Sequence, residues 1–331
     1  MKHQDLISKM TLEEKASLCS GKDFWHLKGL EKFNIPEIMV CDGPHGLRKQ
    51  TGSQDNLGIN GSEPATCFPT AATTACSWNP ELLHEMGGAI AQEALAEGVS
   101  VVLGPGVNIK RSPLCGRNFE YFSEDPLLAG ELGAAFINGA QEQGAGTSLK
   151  HFACNNQETR RMKVDSVVDE RALREIYLAP FEIAVKKAQP WTVMGAYNKI
   201  NGSFCCENKW LLDDVLRKDW GFKGLVVTDW SANNERVPGL LAGQELEMPA
   251  SGGVNDQKIV DAVRAGQIDE TLLDERVDRI LDLIFRAEKV KALAHTCDHA
   301  ANHRLARKIA GESMVLLKTM ENSFRSKLAR R

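Results

Sequence analysis

Short apolar segments alternate with longer stretches of helical periodicity along most of the chain. Apolar runs of about 4–8 residues bounded by polar residues, glycine or proline are typical of buried strands. The strand candidates are residues 37–41, 99–103, 147–152, 191–197 and 224–228, with a weaker one at 243–249. Apolar strands that alternate with helices favour a parallel sheet covered by helices on both faces.

Several predicted helices begin at recognisable capping residues. Thr11 and Glu14 have the spacing of a capping box, in which each residue satisfies a backbone N–H of the other. Asn79 and Asp125 each precede a proline, which is the pattern of an N-cap followed by proline in the first turn.

Two further stretches have a helical apolar face. Residues 169–188 form one, but Pro180 lies inside it and predicts a kink, because proline lacks the N–H of a helical hydrogen bond. Residues 269–287 predict a long amphipathic helix.

Polar side chains follow separate strand candidates, which is typical of the active-site end of an α/β barrel. These side chains belong to Asp42, Lys150, His151, Tyr197 and Asp229. Neither a dinucleotide-binding motif nor a phosphate loop follows any strand. The fold class predicted is therefore α/β, as a TIM-type (β/α)8-like barrel. Because fewer strands than eight are recognisable, we expect either an incomplete barrel or an irregular early strand near residues 66–68.

Composition narrows the class of protein further. The chain has 331 residues, of which 43% are hydrophobic and 25% charged, so disorder is excluded and one large domain is favoured. A net charge of −4 indicates no nucleic-acid partner. No apolar run approaches the ~20 residues that span a bilayer, and the N-terminus lacks a signal-peptide core. Nine scattered cysteines without a CxxC pair favour a reduced, cytoplasmic protein.

The residues alone leave the chemistry open. Asp229 is either a carboxylate fixed at the barrel mouth or the cap of the next helix. Lys150 is suited to a Schiff base, to hydroxyl binding or to balancing a carboxylate. Arg48, Arg117 and Arg161 lie in segments after strands, where fork-shaped donors suit hydroxyls, carboxylates or phosphates.

Three histidines near the end of the chain have helical spacing. His295, His299 and His303 are four residues apart, with Cys297 nearby. Such spacing is compatible with a metal site, but the segment is highly charged, and we interpret it as exposed surface. No metal and no cofactor are predicted.

Five ordered segments resemble motifs of glycoside hydrolase family 3, of the two-domain β-glucosidase type. They are CDGPHGLR at 41–48, LGPGVNI at 103–109 with GRNFEYFSEDP at 116–126, KHFACNNQETRRM at 150–162, VMGAYNKING at 193–202 and WGFKGLVVTDW at 220–230. The resemblance runs from about residue 5 to about residue 320.

The resemblance implies retention of configuration through a glycosyl-enzyme on Asp229, which matches the family's nucleophile. Residues that match its sugar-binding positions are Asp42, Arg48, Arg117, Lys150, His151, Arg161, Tyr197 and Trp230. Carboxylates, cations and an aromatic face suit a sugar ring, and nearby cations are expected to keep Asp229 ionised. A retaining enzyme also needs a second carboxyl group about 5–5.5 Å from the nucleophile as acid/base.

The sequence departs from the family pattern downstream of the barrel. In two-domain members the acid/base glutamate comes from a second α/β domain, and no residue here matches it. Residues 307–318 resemble the start of that domain. We therefore expect a barrel domain over residues 1–290, and a linker with the truncated start of the second domain over 291–331. Glu120 and Glu158 are candidates for a local acid.

Three functions follow from this sequence. The first is a β-glucosidase-like hydrolase of β-glucosides or oligosaccharides, with weak activity of the isolated chain. The second is a non-catalytic sugar-binding or partner-docking remnant, in which the apolar residues 314–317 and the basic tail bind a chain that supplies the missing domain. The third, a Schiff-base lyase using Lys150, is opposed by the motifs. Barrel surface left exposed also favours homo-oligomers.

Overall fold

The centre of the molecule is a curled, mainly parallel sheet. The computed structural model describes residues 1–52, 60–291, 293 and 295–318. Its strands are β1 (His26–Leu27), β2 (Ile38–Asp42), β3 (Val99–Leu103), β4 (Gly146–Phe152), β5 (Asp165–Ser166), β6 (Thr192–Gly195), β7 (Lys199–Ile200), β8 (Ser203–Phe204) and β9 (Leu225–Thr228). The main sheet has the order β1-β2-β3-β4-β6-β9. Its pairs are parallel, except that β1 runs antiparallel to β2.

Isolated bridges join the two edges of this sheet into a ring. Val227 of β9 pairs in parallel with Leu246, and the adjacent Glu247 pairs in parallel with Ser20. Gly21 then pairs with Leu27 of β1. The prediction of an α/β barrel with an incomplete set of strands is thus confirmed. Between β9 and β1, where the described ring has no regular strand, single bridges join the chain segments.

The weaker strand predictions have different outcomes. Residues 243–249 form bridges at Leu246 and Glu247 instead of a strand. Residues 66–68, where an irregular early strand was expected, are not a strand. The backbone there turns toward the loop after β2, since the N–H of Phe68 donates to the carbonyl of His45.

Helices surround the ring. They are α1 (Gln4–Ile7), α2 (Leu12–Leu18), α3 (Ala71–Thr74), α4 (Pro80–Ala96), α5 (Pro126–Glu142), α6 (Glu170–Ala172), α7 (Ala179–Ala188), α8 (Arg236–Ala242), α9 (Val254–Arg264), α10 (Glu270–Lys291) and α11 (His299–Glu312). The predicted caps are confirmed: Thr11 and Glu14 form a capping box, and the side chains of Asn79 and Asp125 accept backbone N–H groups in α4 and α5.

The predicted kink at Pro180 appears as an interruption of the helix. A π-helical turn covers Leu173–Tyr177, and regular helix resumes at Ala179. Leu178 donates its backbone N–H to Leu173, five residues back. Proline removes the donor that a continuous helix needs at this point. A second π-helical segment, Trp210–Asp219, precedes β9.

Apolar side chains fill both sides of the sheet. One hydrophobic cluster joins α4, α5 and α7 to the sheet, and it includes Val102 of β3. A second joins α2, α9 and α10 to the sheet, and it includes Val101. Neighbouring strand residues thus face different clusters, which explains why the strands are continuously apolar. The small sheet β5-β7-β8 is separate.

The last described residues leave the barrel. Helix α11 packs against α3 and α4, and the following Met314, Val315, Leu316 and Leu317 are all more than half exposed. Among the helices that the structure describes, none is both long and apolar enough to cross a bilayer.

Candidate active site

All nine residues predicted for the site line one cavity. Its volume is about 900 Å3, which lies in the ~300–1,000 Å3 range of small-molecule sites. The nine residues are Asp42, Arg48, Arg117, Lys150, His151, Arg161, Tyr197, Asp229 and Trp230. Their shared location is a feature of the fold, while their individual roles stay predictions.

The cavity lies at the carboxyl ends of the parallel strands. Asp42 is the last residue of β2, and Lys150 and His151 lie near the end of β4. Asp229 directly follows β9. Because parallel strands share one carboxyl edge, polar side chains from distant parts of the chain converge there.

Lys150 is a buried cation held between two carboxylates. Its Nζ lies 2.9 Å from Glu120 Oε1 and 3.6 Å from Asp42 Oδ1. Burial alone would lower the pKa of Lys150, but Glu120 and Asp42 outweigh it and raise that pKa. A protonated amine is not a nucleophile, so the structure argues against Schiff-base chemistry at Lys150.

Arg117 connects Glu120 to His151. Its Nε donates to Glu120 Oε2 at 2.9 Å, and its Nη2 lies 2.8 Å from His151 Nε2. Since a guanidinium has only donors, His151 Nε2 must accept. Burial, reinforced by Arg117, holds the pKa of His151 well below its usual value. The imidazole is therefore neutral, with its proton on Nδ1.

Residues outside the prediction fix the position of His151. Its Nδ1 lies 2.9 Å from the hydroxyl of Tyr121, which also accepts a hydrogen bond from Asn155. The side chain of Asn108 accepts from the His151 N–H at 2.7 Å and donates to its carbonyl at 2.9 Å. The sequence analysis missed these partners, although Asn108, Tyr121 and Asn155 all lie inside recognised motifs.

Asp229 is a nearly buried carboxylate facing His151. Its Oδ1 accepts the backbone N–H of Trp230 at 2.7 Å, and its Oδ2 lies 3.7 Å from His151 Nε2. Helix α8 begins later, at Arg236, with Glu235 as its N-cap. The helix-cap interpretation of Asp229 is therefore wrong, and its carboxylate points toward the site.

Burial and nearby cations act in opposite directions on the Asp229 carboxyl group. Burial raises its pKa, and this effect outweighs Arg117 and Lys150, which act in the opposite direction. The two cations favour the ionised carboxylate, as expected, but their effect on the pKa is smaller than that of burial.

Aromatic side chains form one wall of the cavity. The indole of Trp230 lies 5.3 Å from Trp25 and 6.3 Å from Phe24 between ring centroids, and its Nε1 donates to the carbonyl of Phe24. The guanidinium of Arg161 stacks over Tyr197 at 4.6 Å. The sequence analysis missed Phe24 and Trp25, whose proximity to Trp230 arises only in the fold.

Arg48 reaches the cavity from a tight loop after β2. The backbone N–H of Arg48 donates to the carbonyl of Asp42 at 3.0 Å. Gly43 is required in this loop, because a Cβ there would overlap the carbonyl oxygen of Gly46. The loop therefore brings Arg48 back toward the end of the strand that carries Asp42.

Neither candidate for a local acid is suited to that role. Burial would raise the pKa of Glu120, but Lys150 and Arg117 hold it far below its usual value, so its carboxyl group stays ionised. Glu158 does not line the cavity. Its oxygens lie 3.7 Å from Arg117 Nη1 and 3.4 Å from Arg161 Nη1, where it positions cations.

A cavity at the carboxyl ends of the strands has the position of the active site in α/β-barrel enzymes. The sequence profile described as "Glycosyl hydrolase family 3 N terminal domain" matches residues 31–283. The chain belongs to this family, and the resemblance seen in the sequence is confirmed.

Known relatives are similar over nearly the whole chain. The sequence is 59% identical over 317 residues to thermostable beta-glucosidase B of Acetivibrio thermocellus, covering 96% of this chain and 42% of that protein. It is 52% identical over 314 residues to exo-alpha-(1->6)-L-arabinopyranosidase of Bifidobacterium longum, covering 94% of this chain and 41% of that protein. The chain thus spans about two fifths of the length of these curated relatives.

Solved structures show the same fold. Beta-glucosidase 3B from Thermotoga neapolitana, in complex with alpha-D-glucose, superposes with a TM-score of 0.90 at 41% sequence identity. The match covers 97% of this chain and 48% of that chain. A beta-glucosidase from Bifidobacterium adolescentis has a TM-score of 0.88 at 49% identity, over 95% of this chain and 45% of that chain.

Proposed function

We propose that this chain is the substrate-binding and nucleophile-bearing part of a retaining β-glucosidase. The observation that carries the proposal is the buried carboxylate of Asp229 at the end of β9, in a cavity lined by paired cations and aromatic rings. Family membership and relatives named as glycosidases support the same activity.

In the first step, a carboxylate oxygen of Asp229 attacks the anomeric carbon of the bound sugar. The bond from that carbon to the leaving-group oxygen breaks, and this oxygen takes a proton from a general acid. Water then attacks the same carbon and gives up a proton. The ester bond breaks, and the carboxylate of Asp229 is restored with net retention.

The cavity offers complementary groups for sugar hydroxyls. Asp42 provides acceptor oxygens, with its side chain about half exposed, while Lys150 provides donors. The guanidinium of Arg117 also lines the cavity and provides donors, while its buried Nη1 lies 3.7 Å from Glu158. The face of Trp230 suits the apolar side of a pyranose ring.

The general acid is the part of the mechanism that the described cavity does not supply. Glu120 is ionised by its cationic neighbours, and Glu158 lies outside the cavity. Loss of an acid typically reduces the rate by ~10²–10⁴-fold. We expect the chain by itself to cleave only substrates with good leaving groups, unless a further domain or partner chain provides the acid.

The proposal is tested with a 2,4-dinitrophenyl 2-deoxy-2-fluoro-β-glucoside, whose leaving group departs without acid. Intact-mass analysis should show the addition of one fluoroglucosyl group, and peptide mapping should place it on Asp229. Asp229→Asn, which preserves the shape, is the matched control and should stay unlabelled. A folded chain that gains no mass, or a label that persists in the control, would contradict the proposal.

The sugar itself is tested by the same chemistry. The relatives include an arabinopyranosidase as well as β-glucosidases, so the corresponding α-L-arabinopyranosyl reagent is run in parallel. Faster labelling by the glucoside supports a β-glucosidase. Faster labelling by the arabinoside would assign an α-L-arabinopyranoside as the substrate, with the same mechanism.

A second candidate function is favoured by one surface feature. Met314, Val315, Leu316 and Leu317 are 79%, 61%, 67% and 92% exposed, which is unusual for four consecutive apolar residues. They are suited to docking a chain that carries a second domain. Sugar binding by calorimetry without covalent labelling would favour this non-catalytic function.

A further inference from the structure

Three side chains of types that bind metal ions meet where α11 packs against α4, and none of them lines the active-site cavity. They are Glu93 of α4, Cys297, and His299 at the start of α11. One ligand atom from each lies within 4.8 Å of the others. The sequence analysis interpreted the segment with His295, His299 and His303 as exposed surface, and it did not connect His299 with Glu93, a carboxylate some 200 residues away in the sequence.

The distances between these atoms are close to those around a tetrahedral zinc ion. His299 Nδ1 lies 3.4 Å from Glu93 Oε1 and 3.9 Å from Cys297 Sγ. Zinc bonds of about 2.0–2.1 Å to nitrogen or oxygen and about 2.3 Å to sulfur place tetrahedral ligand atoms roughly 3.3–3.6 Å apart. All three separations are below 4.8 Å.

The buried member of the set is already oriented. Glu93 is 2% exposed. Its Oε2 accepts the backbone N–H of Thr66 at 3.0 Å, and its Oε1 accepts from Asn302 Nδ2 at 2.8 Å. Metal-binding carboxylates are commonly held by such outer hydrogen bonds, which fix their direction. A carboxylate oxygen can keep one hydrogen bond and bind a metal with its second lone pair.

A nucleophilic cysteine is a poorer interpretation of the same residues. His299 presents Nδ1 to both Glu93 and Cys297, whereas a Cys-His-acid triad uses opposite ring nitrogens. Burial and the carboxylate of Glu93 raise the pKa of Cys297 to about 11. A thiol next to an anion is thus inactive alone, and a divalent cation would relieve the repulsion between thiolate and carboxylate.

We propose that Glu93, Cys297 and His299 bind one Zn²⁺ ion, with solvent in the fourth position, and so fasten α11 to the barrel helix α4. A thiolate, an imidazole and a carboxylate form a ligand set suited to zinc. The site is independent of the proposed glycosidase activity, because none of its three residues lines the active-site cavity.

The test uses the reduced, metal-free chain and two exposed or partly exposed ligands, Cys297→Ser and His299→Ala. Isothermal titration with ZnCl2 should give one site per chain, and each variant should lose at least about 10-fold in affinity. The matched controls are Cys76→Ser and His303→Ala, which change an exposed cysteine and an exposed histidine outside the cluster. Both should bind like the parent chain.

Cobalt provides a second readout. Co²⁺ in the parent chain should show a thiolate charge-transfer band that is absent in Cys297→Ser and present in Cys76→Ser. Zn²⁺ should also raise the Tm of the parent chain but not of His299→Ala, since a ligand that binds only the folded state stabilises it. The proposal would be overturned if the parent chain failed to bind zinc or if the control variants lost as much zinc affinity as the ligand variants. A cobalt band that persists in Cys297→Ser would also overturn it.

Discussion

The ion pair between Glu120 and Lys150 provides a sharp test of the site's electrostatics. Their side chains are only 8% and 4% exposed, and the charged atoms are 2.9 Å apart. Glu120→Gln keeps the volume but removes the charge that balances Lys150 and Arg117. Breaking a buried pair by removing one partner typically costs about 3–5 kcal/mol, so the Tm should fall by several degrees.

A double-variant cycle separates charge from packing. Lys150→Met alone leaves Glu120 paired with Arg117, whose Nη2 lies 2.7 Å from it. If the pair interacts as the structure indicates, the double variant Glu120→Gln/Lys150→Met should lose less stability than the two single variants lose in total. The expected difference is about 1–3 kcal/mol. Arg117 still lacks Glu120 in the double variant and keeps only Glu158, at 3.7 Å, so recovery should be incomplete.

The assay is thermal unfolding by circular dichroism at neutral pH and at two salt concentrations. Glu124→Gln is the matched control, because Glu124 is exposed in the same segment and surface changes are usually within about 0.5 kcal/mol. Equal Tm values for Glu120→Gln and Glu124→Gln would refute the reasoning. Additive losses in the cycle would show that Glu120 and Lys150 do not interact.

Three further predictions concern other parts of the molecule. The pKa of Asp229 is raised above 3.8, so the rate of fluoroglucoside labelling should fall on acidification at a higher pH than for an exposed aspartate. A fall of the labelling rate that is centred at or below pH 3.8 would contradict this. Glu245 is fully buried, with Arg217 Nη2 at 2.7 Å and Arg279 Nη1 at 3.0 Å. Glu245→Gln should therefore lower the free energy of unfolding, measured with urea, by about 3–5 kcal/mol. A loss below about 1 kcal/mol would argue against the pairing. Thr11→Ala removes the capping box of α2 and should lower stability by about 1 kcal/mol, whereas Thr11→Ser should be near neutral in the same unfolding experiment.

Local patterns predicted most of the regular elements. Residues 99–103 match β3 at both ends, and 224–228 differ from β9 by one residue. Apolar runs and capping residues act over a few neighbouring positions, so they can be recognised from the sequence alone. The bridges at Ser20 and Gly21 were not predicted, because one or two paired residues leave no periodic signal, whereas the bridge at Leu246 falls inside the weaker strand candidate 243–249.

In the candidate site, too, some features were recognisable in the sequence and others arise only in the fold. The nine residues were recognised from motifs, and the fold places them all in one cavity. The partners that set their charge state were not recognised, among them Glu120 as the counter-ion of Lys150 and Tyr121 as the partner of His151. The zinc ligands Glu93 and His299 are likewise joined only by the packing of α11 on α4.

The sequence by itself determined the fold class, the starts of the main helices, the family and the identity of the residues at the strand ends. It did so because hydrophobic periodicity, capping and ordered motifs are properties of neighbouring positions. Only the tertiary structure decided how the barrel closes, which carboxylates neutralise Lys150, and how strongly burial raises the pKa of Asp229 against the nearby cations. Those properties depend on burial and on distances between charges that are remote along the chain, and such distances exist only once the chain has folded.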